Sequence, residues 1–191
     1  MNYFVLLART PWAGPTAFTL HDFSFDLQNG RTERAPPAPL RYELRVQEDA
    51  PKDESFPPCD LHDAGSGQLL MSPRMISALA EAGVDNIQFF DCHVQNAQNG
   101  EQLEYKVANV LGVVKALDVE ASDCEIDEDG FVETFYSMKI DSKKAKGCSL
   151  FRLFETLVMV IISERVKIAI EGAGLTGIQI VADSDWEPGD L

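Results

Sequence analysis

Basic residues are scarce in this sequence of 191 residues. It holds 16 Lys and Arg against 31 Asp and Glu, a formal net charge of −15. Nucleic acids and anionic membranes are bound through Lys and Arg that neutralise phosphates, so the sequence predicts neither as a partner. A surface this acidic would instead steer a basic protein towards itself, although the same charge could serve solubility alone.

Long apolar runs are absent as well. The longest, residues 157–162, is bounded by Glu155 and Ser163, and no basic residue precedes the apolar run that leads up to Ala8. Both runs are shorter than a membrane span or the core of a signal peptide. The sequence therefore predicts a soluble, cytoplasmic protein with no membrane partner, in which residues 3–8 form a first strand.

Cysteine is sparse, with four residues that lie far apart and form no C-x-x-C pair. We expect reduced thiols in a reducing compartment rather than disulfides. Two Cys-His pairs could supply zinc ligands, namely Cys59 with His62 and Cys92 with His93. Adjacent residues on a strand point to opposite faces, however, so Cys92 and His93 could hardly bind one ion. No metal site and no cofactor are predicted.

Familiar catalytic motifs are also missing. The sequence contains no G-x-S-x-G, no Walker A loop and no H-E-x-x-H. Its three histidines, His21, His62 and His93, have no nucleophile at a spacing typical of an enzyme family. The sequence therefore predicts a non-catalytic protein, and an enzyme of unrecognised type stays open as the alternative.

What the sequence does contain is an internal repeat, in which SPRMISALAEAGVDNIQFF (72–90) aligns without gaps on SERVKIAIEGAGLTGIQIV (163–181). Each copy follows an apolar run, opens with a serine suited to cap a helix, and continues with helical periodicity. A glycine, Gly83 or Gly174, then suits the end of that helix. Each copy therefore predicts strand, helix, strand. Arg74 and Arg165 recur as surface residues of the two helices, or alternatively line a shared site.

Further strands are predicted around the repeat. We expect strands and a hairpin before residue 27 with a turn at Asn29-Gly30, a bent strand over residues 110–117 with a bulge at Gly112, and further strands at 40–46, 103–107, 131–140 and 150–153. The predicted fold class is α+β, a mixed, mostly antiparallel sheet with two similar packed helices. The predicted organisation is an N-terminal part (1–67) with strands and a Pro-rich connection, a main domain (68–186) and an acidic tail (187–191).

Between Lys115 and Lys139 there is no Lys or Arg but a run of carboxylates. We call residues 118–133 the acidic segment; its acidic residues are Asp118, Glu120, Asp123, Glu125, Asp127, Glu128, Asp129 and Glu133. Residues 125–130 approach a calcium loop, but Glu stands at its first position and Tyr136 at its twelfth, so a hairpin turn at Asp129-Gly130 is predicted instead.

The acidic segment is either a solvated loop or an interface for a basic surface, such as the phosphate-binding cleft of a nuclease. For the second case the predicted partner-binding residues are Asp123, Glu125, Asp127, Glu128 and Asp129, together with Arg74 and Arg165.

Seven short motifs in a fixed order carry a resemblance to a known family: LMSPR (70–74), EAGVDNIQ (81–88), YKVANVLG (105–112), ALD (116–118), LFRL (150–153), ISER (162–165) and AGLTG (173–177). Together they resemble the predicted bacterial immunity proteins of immunity protein family eleven. The resemblance covers residues 68–186 and implies a small cytosolic protein, encoded beside a polymorphic toxin, that binds this toxin and protects the producing cell. It transfers no catalytic residue.

The predicted function is therefore neutralisation of a cognate protein toxin by binding. Two alternatives remain at this point: an enzyme of unrecognised type, which would need a pocket with convergent polar groups, and a structural or assembly component of a secretion-associated system, which would self-associate. The sequence leaves the oligomeric state and the identity of the toxin open.

Overall fold

The computed structural model describes residues 2–12, 14–51 and 56–187. Within these ranges the chain forms strands, two α-helices and a closing 3₁₀ turn at Asp183–Asp185, which confirms the predicted α+β class. In chain order the elements are β1 (Tyr3–Ala8), β2 (Thr16–Thr19), β3 (Leu40–Arg45), β4 (Leu61–Asp63), β5 (Leu69–Met71), α1 (Pro73–Glu81), β6 (Ile87–Asn96), β7 (Gln102–Leu103), β8 (Lys106–Val110), β9 (Val113–Val114), β10 (Asp123–Ile126), β11 (Val132–Ser137), β12 (Leu150–Leu153), β13 (Thr156–Ser163), α2 (Glu164–Gly172) and β14 (Ile178–Ala182).

The strands divide into two large sheets and one hairpin. A five-stranded sheet has the order β14-β1-β13-β12-β9, and a seven-stranded sheet has the order β2-β3-β6-β8-β5-β4, with β7 paired to β6. Only the pairs β9–β12 and β3–β6 are parallel among the strand pairs of the described residues. Strands β10 and β11 form a separate two-stranded sheet. The pairing is thus mixed and mostly antiparallel, as predicted.

Both copies of the sequence repeat adopt the same local topology. Helix α1 connects β5 to β6, and β8 lies between these two strands and pairs with each in antiparallel fashion. Helix α2 connects β13 to β14, and β1 takes the corresponding place between them. The predicted strand-helix-strand units are therefore present at both positions. Their origin by duplication stays a prediction.

The ends of the two helices follow from local sequence. Ser72 has extended backbone angles and its hydroxyl accepts a hydrogen bond from the Met75 N–H, while Pro73 opens helix α1. Ser163 precedes helix α2 with similar angles but makes no side-chain cap bond. Gly83 and Gly174, with φ of 74° and 58°, follow the helices in the left-handed conformation that glycine adopts without strain.

Successive apolar side chains of the five-stranded sheet point to its two opposite faces, and both faces are buried. One face packs against the helices through Leu6, Val160 and Ile162. The other face carries Val5 and Ile161, which pack with residues of the β10–β11 hairpin. A third cluster of apolar residues belongs to the seven-stranded sheet. The hairpin and the helices are thus anchored to opposite faces of one sheet.

Three predictions about strands were wrong. The predicted strand over residues 103–107 covers the end of β7 and the start of β8, which Glu104 and Tyr105 separate. Strand β1 belongs to the five-stranded sheet and β2 to the seven-stranded one, so they form no hairpin, and no strand flanks Asn29-Gly30 within residues 20–39. The predicted strand over residues 110–117 is interrupted, because β8 ends at Val110 and β9 pairs with β12 of the other sheet. Gly112, with φ of 94°, lies where the chain passes between sheets rather than in a bulge.

Strands from the predicted N-terminal part pair directly with strands of the predicted main domain, as β1 does with β13 and β3 with β6. The boundaries at residues 67 and 186 stay predictions. Most of the predicted acidic tail, residues 188–191, lies outside the described residues. Each of the two helices in the described ranges is nine residues long, too short and too polar to cross a bilayer.

Candidate functional site

The acidic segment lies on the β10–β11 hairpin and on the turn that leads into it. The Asp118 N–H donates to the Lys139 carbonyl at 2.9 Å, and Leu117 forms an isolated bridge with Ile140, so the two ends of the hairpin region are held together. The Asp118 carboxylate accepts from the Ala121 N–H at 3.2 Å and thereby fixes the entering turn. The carboxylates of the segment are therefore carried on ordered backbone.

A tight turn connects the two strands, as predicted from Asp129-Gly130. One carboxylate oxygen of Asp127 accepts from the N–H groups of Asp129 and Phe131, at 3.0 and 2.8 Å, and Gly130 has φ of 91°. Asp127 thus serves the turn itself. Glu128 and Asp129 are exposed at the tip of the hairpin, free of that structural task.

The hairpin has a buried face and a charged face. Phe135 points inwards and meets the buried Trp186 edge-on, with ring centroids 5.3 Å apart. Asp123, Glu125 and Glu133 are exposed on the hairpin. Large apolar side chains accompany them, since Tyr136 is 55% exposed and Val119 is 47% exposed. The outer surface therefore combines carboxylates with exposed apolar groups, the composition of an interface centre with a charged rim.

In the part of the chain that the structure describes, the carboxylates of this surface have no salt-bridge partner. Lys139, at its edge, pairs with Asp183 at 2.8 Å. Burial raises the pKa of the Cys124 thiol on β10, and the carboxylates of Asp123 and Glu155 raise it further. The hairpin thus has a negative electrostatic field.

The two predicted arginines lie elsewhere, at the junction of the helices. Arg74 of α1 donates to the buried Asp60 at 3.1 Å and to the carbonyls of Ala173 and Gly174, at 2.9 and 3.2 Å, at the end of α2. Its side chain remains 61% exposed. The guanidinium therefore satisfies carbonyls that a helix end leaves without partners.

Arg165 of α2 takes the corresponding place at the end of α1. It donates to the Ser149 hydroxyl at 2.9 Å, and a Cβ added at Gly83 would lie 3.2 Å from its Nη2. Each arginine thus lies against the carboxyl end of the other helix. The structure brings the two arginines to one junction, whereas the acidic segment is on the hairpin.

Three of the four residues considered for zinc, Cys59, His62 and Cys92, make internal contacts. The Cys59 N–H donates to Nε2 of His62 at 3.1 Å, and burial lowers the pKa of His62 to about 4. Cys92 contacts the Tyr105 carbonyl, and burial raises the pKa of its thiol to about 11. In the described ranges no three His, Cys, Asp or Glu side chains come together as a metal site would require.

The sequence did not indicate an apolar groove beside the acidic turn. Phe131 stacks on Phe154 with ring centroids 5.1 Å apart, and both line a groove of about 440 Å³ with Val113 and Leu157. Phe131 follows the predicted turn directly and could have been singled out as an exposed aromatic residue. Its contact with Phe154 depends on tertiary structure and leaves no local signal.

Comparison with known proteins agrees with the motifs. The model of the immunity protein family (Imm11) matches residues 13–182, which includes the hairpin and both helices. No curated protein matches the chain significantly.

Proposed function

The chain belongs to the immunity protein family Imm11, and on that premise we propose that it protects a bacterial cell by binding a cognate toxin, without catalysis, through the β10–β11 hairpin. The observation that carries the choice of surface is the acidic segment, an ordered group of carboxylates with no cation paired to it among the described residues. Such a surface is complementary to a toxin with a basic face, as the substrate cleft of a nuclease would have.

The charges and the apolar groups have different roles in this proposal. Exposed carboxylates such as Glu128 and Asp129 attract a basic partner over a distance of about 8–10 Å at physiological salt and raise the association rate. Tyr136 and Val119 supply apolar area that is removed from water in the complex and slows dissociation. Asp127 contributes its charge while its oxygen holds the turn.

Arg74 and Arg165 remain proposed contacts of lesser weight. Their guanidinium groups are engaged at the junction of the two helices, yet both side chains reach the surface. If the toxin covers this junction, replacing either arginine removes a direct contact with the toxin. It also disturbs the helix end that the arginine contacts, so the two effects on binding are mixed. The hairpin is the sharper test, because its exposed carboxylates can be changed without removing a described structural contact.

The test uses the toxin encoded next to this protein, purified in a catalytically inactive form. The variant Glu125→Lys/Glu128→Lys/Asp129→Lys changes three exposed carboxylates of the hairpin. The control Glu48→Lys/Asp49→Lys/Glu104→Lys makes the same change in net charge at exposed sites elsewhere. We expect the hairpin variant to associate about 10- to 100-fold more slowly at low salt, and the control to change by less than about threefold.

Growth of cells that express the active toxin provides the second measurement. Wild-type protein and the control variant should restore growth, and the hairpin variant should restore it poorly at equal expression. Equal association rates for the two variants would show that the hairpin is not the binding surface. Absence of any complex between the wild-type protein and the toxin would contradict the proposed function itself.

A further inference from the structure

The groove beside the acidic turn has the features of an anchor site for one side chain. Its walls are the stacked rings of Phe131 and Phe154 together with Val113 and Leu157, and its volume of about 440 Å³ lies within the range of roughly 300–1,000 Å³ typical of binding pockets. Phe131 is 36% exposed, so the groove presents an aromatic surface to solvent.

The groove is rigidly built. The Phe131 N–H donates to the Asp127 carboxylate at 2.8 Å, and the next residue, Val132, donates to the Glu155 carbonyl at 2.8 Å. On the opposite side the Gly112 N–H donates to the Gly30 carbonyl at 2.8 Å. A site held in this way loses little conformational freedom when a ligand enters, which favours binding.

Charge around the groove indicates the chemistry of its occupant. Glu128 and Asp129 lie at the turn immediately before Phe131 and favour basic residues in the partner. Arg31 lines the other side, and the Lys115 ammonium lies 5.2 Å from the centroid of the Phe154 ring. Lys115 already contacts the Phe154 ring, whereas Arg31 lines the groove. The Arg31 guanidinium repels Lys and Arg but attracts the face of an aromatic ring.

We propose that the groove lined by Phe131, Phe154, Val113 and Leu157 receives an aromatic side chain of the toxin, with Lys or Arg residues next to it that contact Glu128 and Asp129. This inference rests on the proposed function and adds the residue type that anchors the complex. The acidic turn governs how often the partners meet, and the groove governs how long they stay together.

The test is the variant Phe131→Ala, measured against the inactive toxin. Phe18→Ala is the matched control, because Phe18 is a 44% exposed phenylalanine on β2 of the seven-stranded sheet, outside the hairpin and the groove. We expect Phe131→Ala to bind at least about tenfold more weakly through faster dissociation, with an association rate close to that of the wild type, and Phe18→Ala to bind as the wild type does.

Thermal unfolding of each variant verifies that it is folded. If Phe131→Ala is not folded, Phe131→Leu keeps an apolar residue at the turn and removes the ring, and weaker binding by this variant is the expected result. An unchanged dissociation rate of the folded Phe131 variant, together with slow association of Glu125→Lys/Glu128→Lys/Asp129→Lys, would contradict the proposed role of the groove. The proposed function would be left intact.

A second copy of this chain is the competing occupant. If the wild-type protein self-associates in solution and Phe131→Ala abolishes this, the groove belongs to a homodimer and the inference is overturned. A monomeric wild type whose complex with the toxin depends on Phe131 supports it.

Discussion

Ser72 and Ser163 occupy the same position in the two copies of the repeat but have different surroundings. The Ser72 hydroxyl accepts from the Met75 N–H at 3.2 Å and donates to the Asp60 carboxylate at 2.6 Å. The Ser163 hydroxyl is buried and has no hydrogen-bond partner among the described residues. We therefore expect the two serines to contribute differently to the free energy of unfolding, although they occupy equivalent positions of the repeat.

Replacement of each serine by alanine should separate these roles. We expect Ser72→Ala to lower the free energy of unfolding by about 1–2 kcal/mol, because a helix cap and a buried hydrogen bond are both lost. Ser163→Ala should change it by less than about 0.5 kcal/mol, since no described bond is removed. Denaturation with urea measures both differences, and an equal loss in the two variants would contradict the assignment.

Sequence alone predicted these residues but not their partners. Capping serines and terminal glycines act within one turn of helix, so their pattern is visible in a short window. The contacts of Arg74 with the end of α2, and of Arg165 with the end of α1, join segments far apart in the chain. From sequence alone, a structural role and a shared site were therefore both open for these arginines, and nothing in the sequence decided between the two.

At the scale of elements, the acidic hairpin depends on one aromatic anchor. Trp186, which is 2% exposed, packs edge-on against Phe135 of β11 and joins the hairpin to the apolar cluster beneath it. The nearby Asp183 carboxylate accepts from the Ile140 N–H at 2.8 Å and reinforces this attachment. The segment after β14 thus holds the proposed binding element in place.

We expect Trp186→Ala to lower the free energy of unfolding by about 3–5 kcal/mol, because it leaves a large cavity under the hairpin. Hydrogen exchange of the β10 and β11 amides should accelerate more than that of β6 and β8. Trp12→Ala is the control, since Trp12 is 73% exposed and its loss should cost less than about 0.5 kcal/mol. Unaltered exchange in β10 and β11 would contradict the anchoring role.

The hairpin and the repeat units are the elements that sequence predicted well. Their signals are local: an Asp-Gly turn between segments in which polar and apolar residues alternate, and helical periodicity between caps. The prediction for residues 110–117 was wrong because an apolar run does not reveal to which sheet each part belongs. The groove of Phe131 and Phe154 was missed for a related reason, since Phe131 lies between β10 and β11 whereas Phe154 lies between β12 and β13.

For the molecule as a whole, His62 links folding to pH. It is 2% exposed, and burial lowers its pKa to about 4 from the usual value of 6.5. The unfolded chain therefore binds a proton at a higher pH than the folded protein does. The stability that this difference in pKa contributes to the folded protein is present in full above pH 6.5 and is lost as the pH falls towards 4.

This shift in the pKa of His62 corresponds to about 3.5 kcal/mol at most, from about 1.4 kcal/mol for each pKa unit. We expect the free energy of unfolding of His62→Gln to depend less on pH between 6.5 and 4 than that of the wild type. His93→Gln, which changes an exposed histidine, should keep the wild-type slope. Parallel curves for wild type and His62→Gln would contradict this prediction.

The overall class was predictable, whereas the pairing of distant strands was not. Mostly antiparallel strands and two helices follow from patterns along the chain. Nothing near residues 3–8 indicates that β1 inserts between β13 and β14, because that choice depends on which apolar faces remain uncovered after the rest has packed.

The place of β1 also has a consequence for the newly made protein. Tyr3 pairs with Ser163, and Phe4 with Ala182, so the partners of β1 leave the ribosome last among the described strands. At about 5–20 residues per second, an apolar strand stays without its neighbours for on the order of ten to forty seconds. Folding that waits for such distant contacts is also slow. We expect the five-stranded sheet to form no sooner than this interval after β1 has been synthesised.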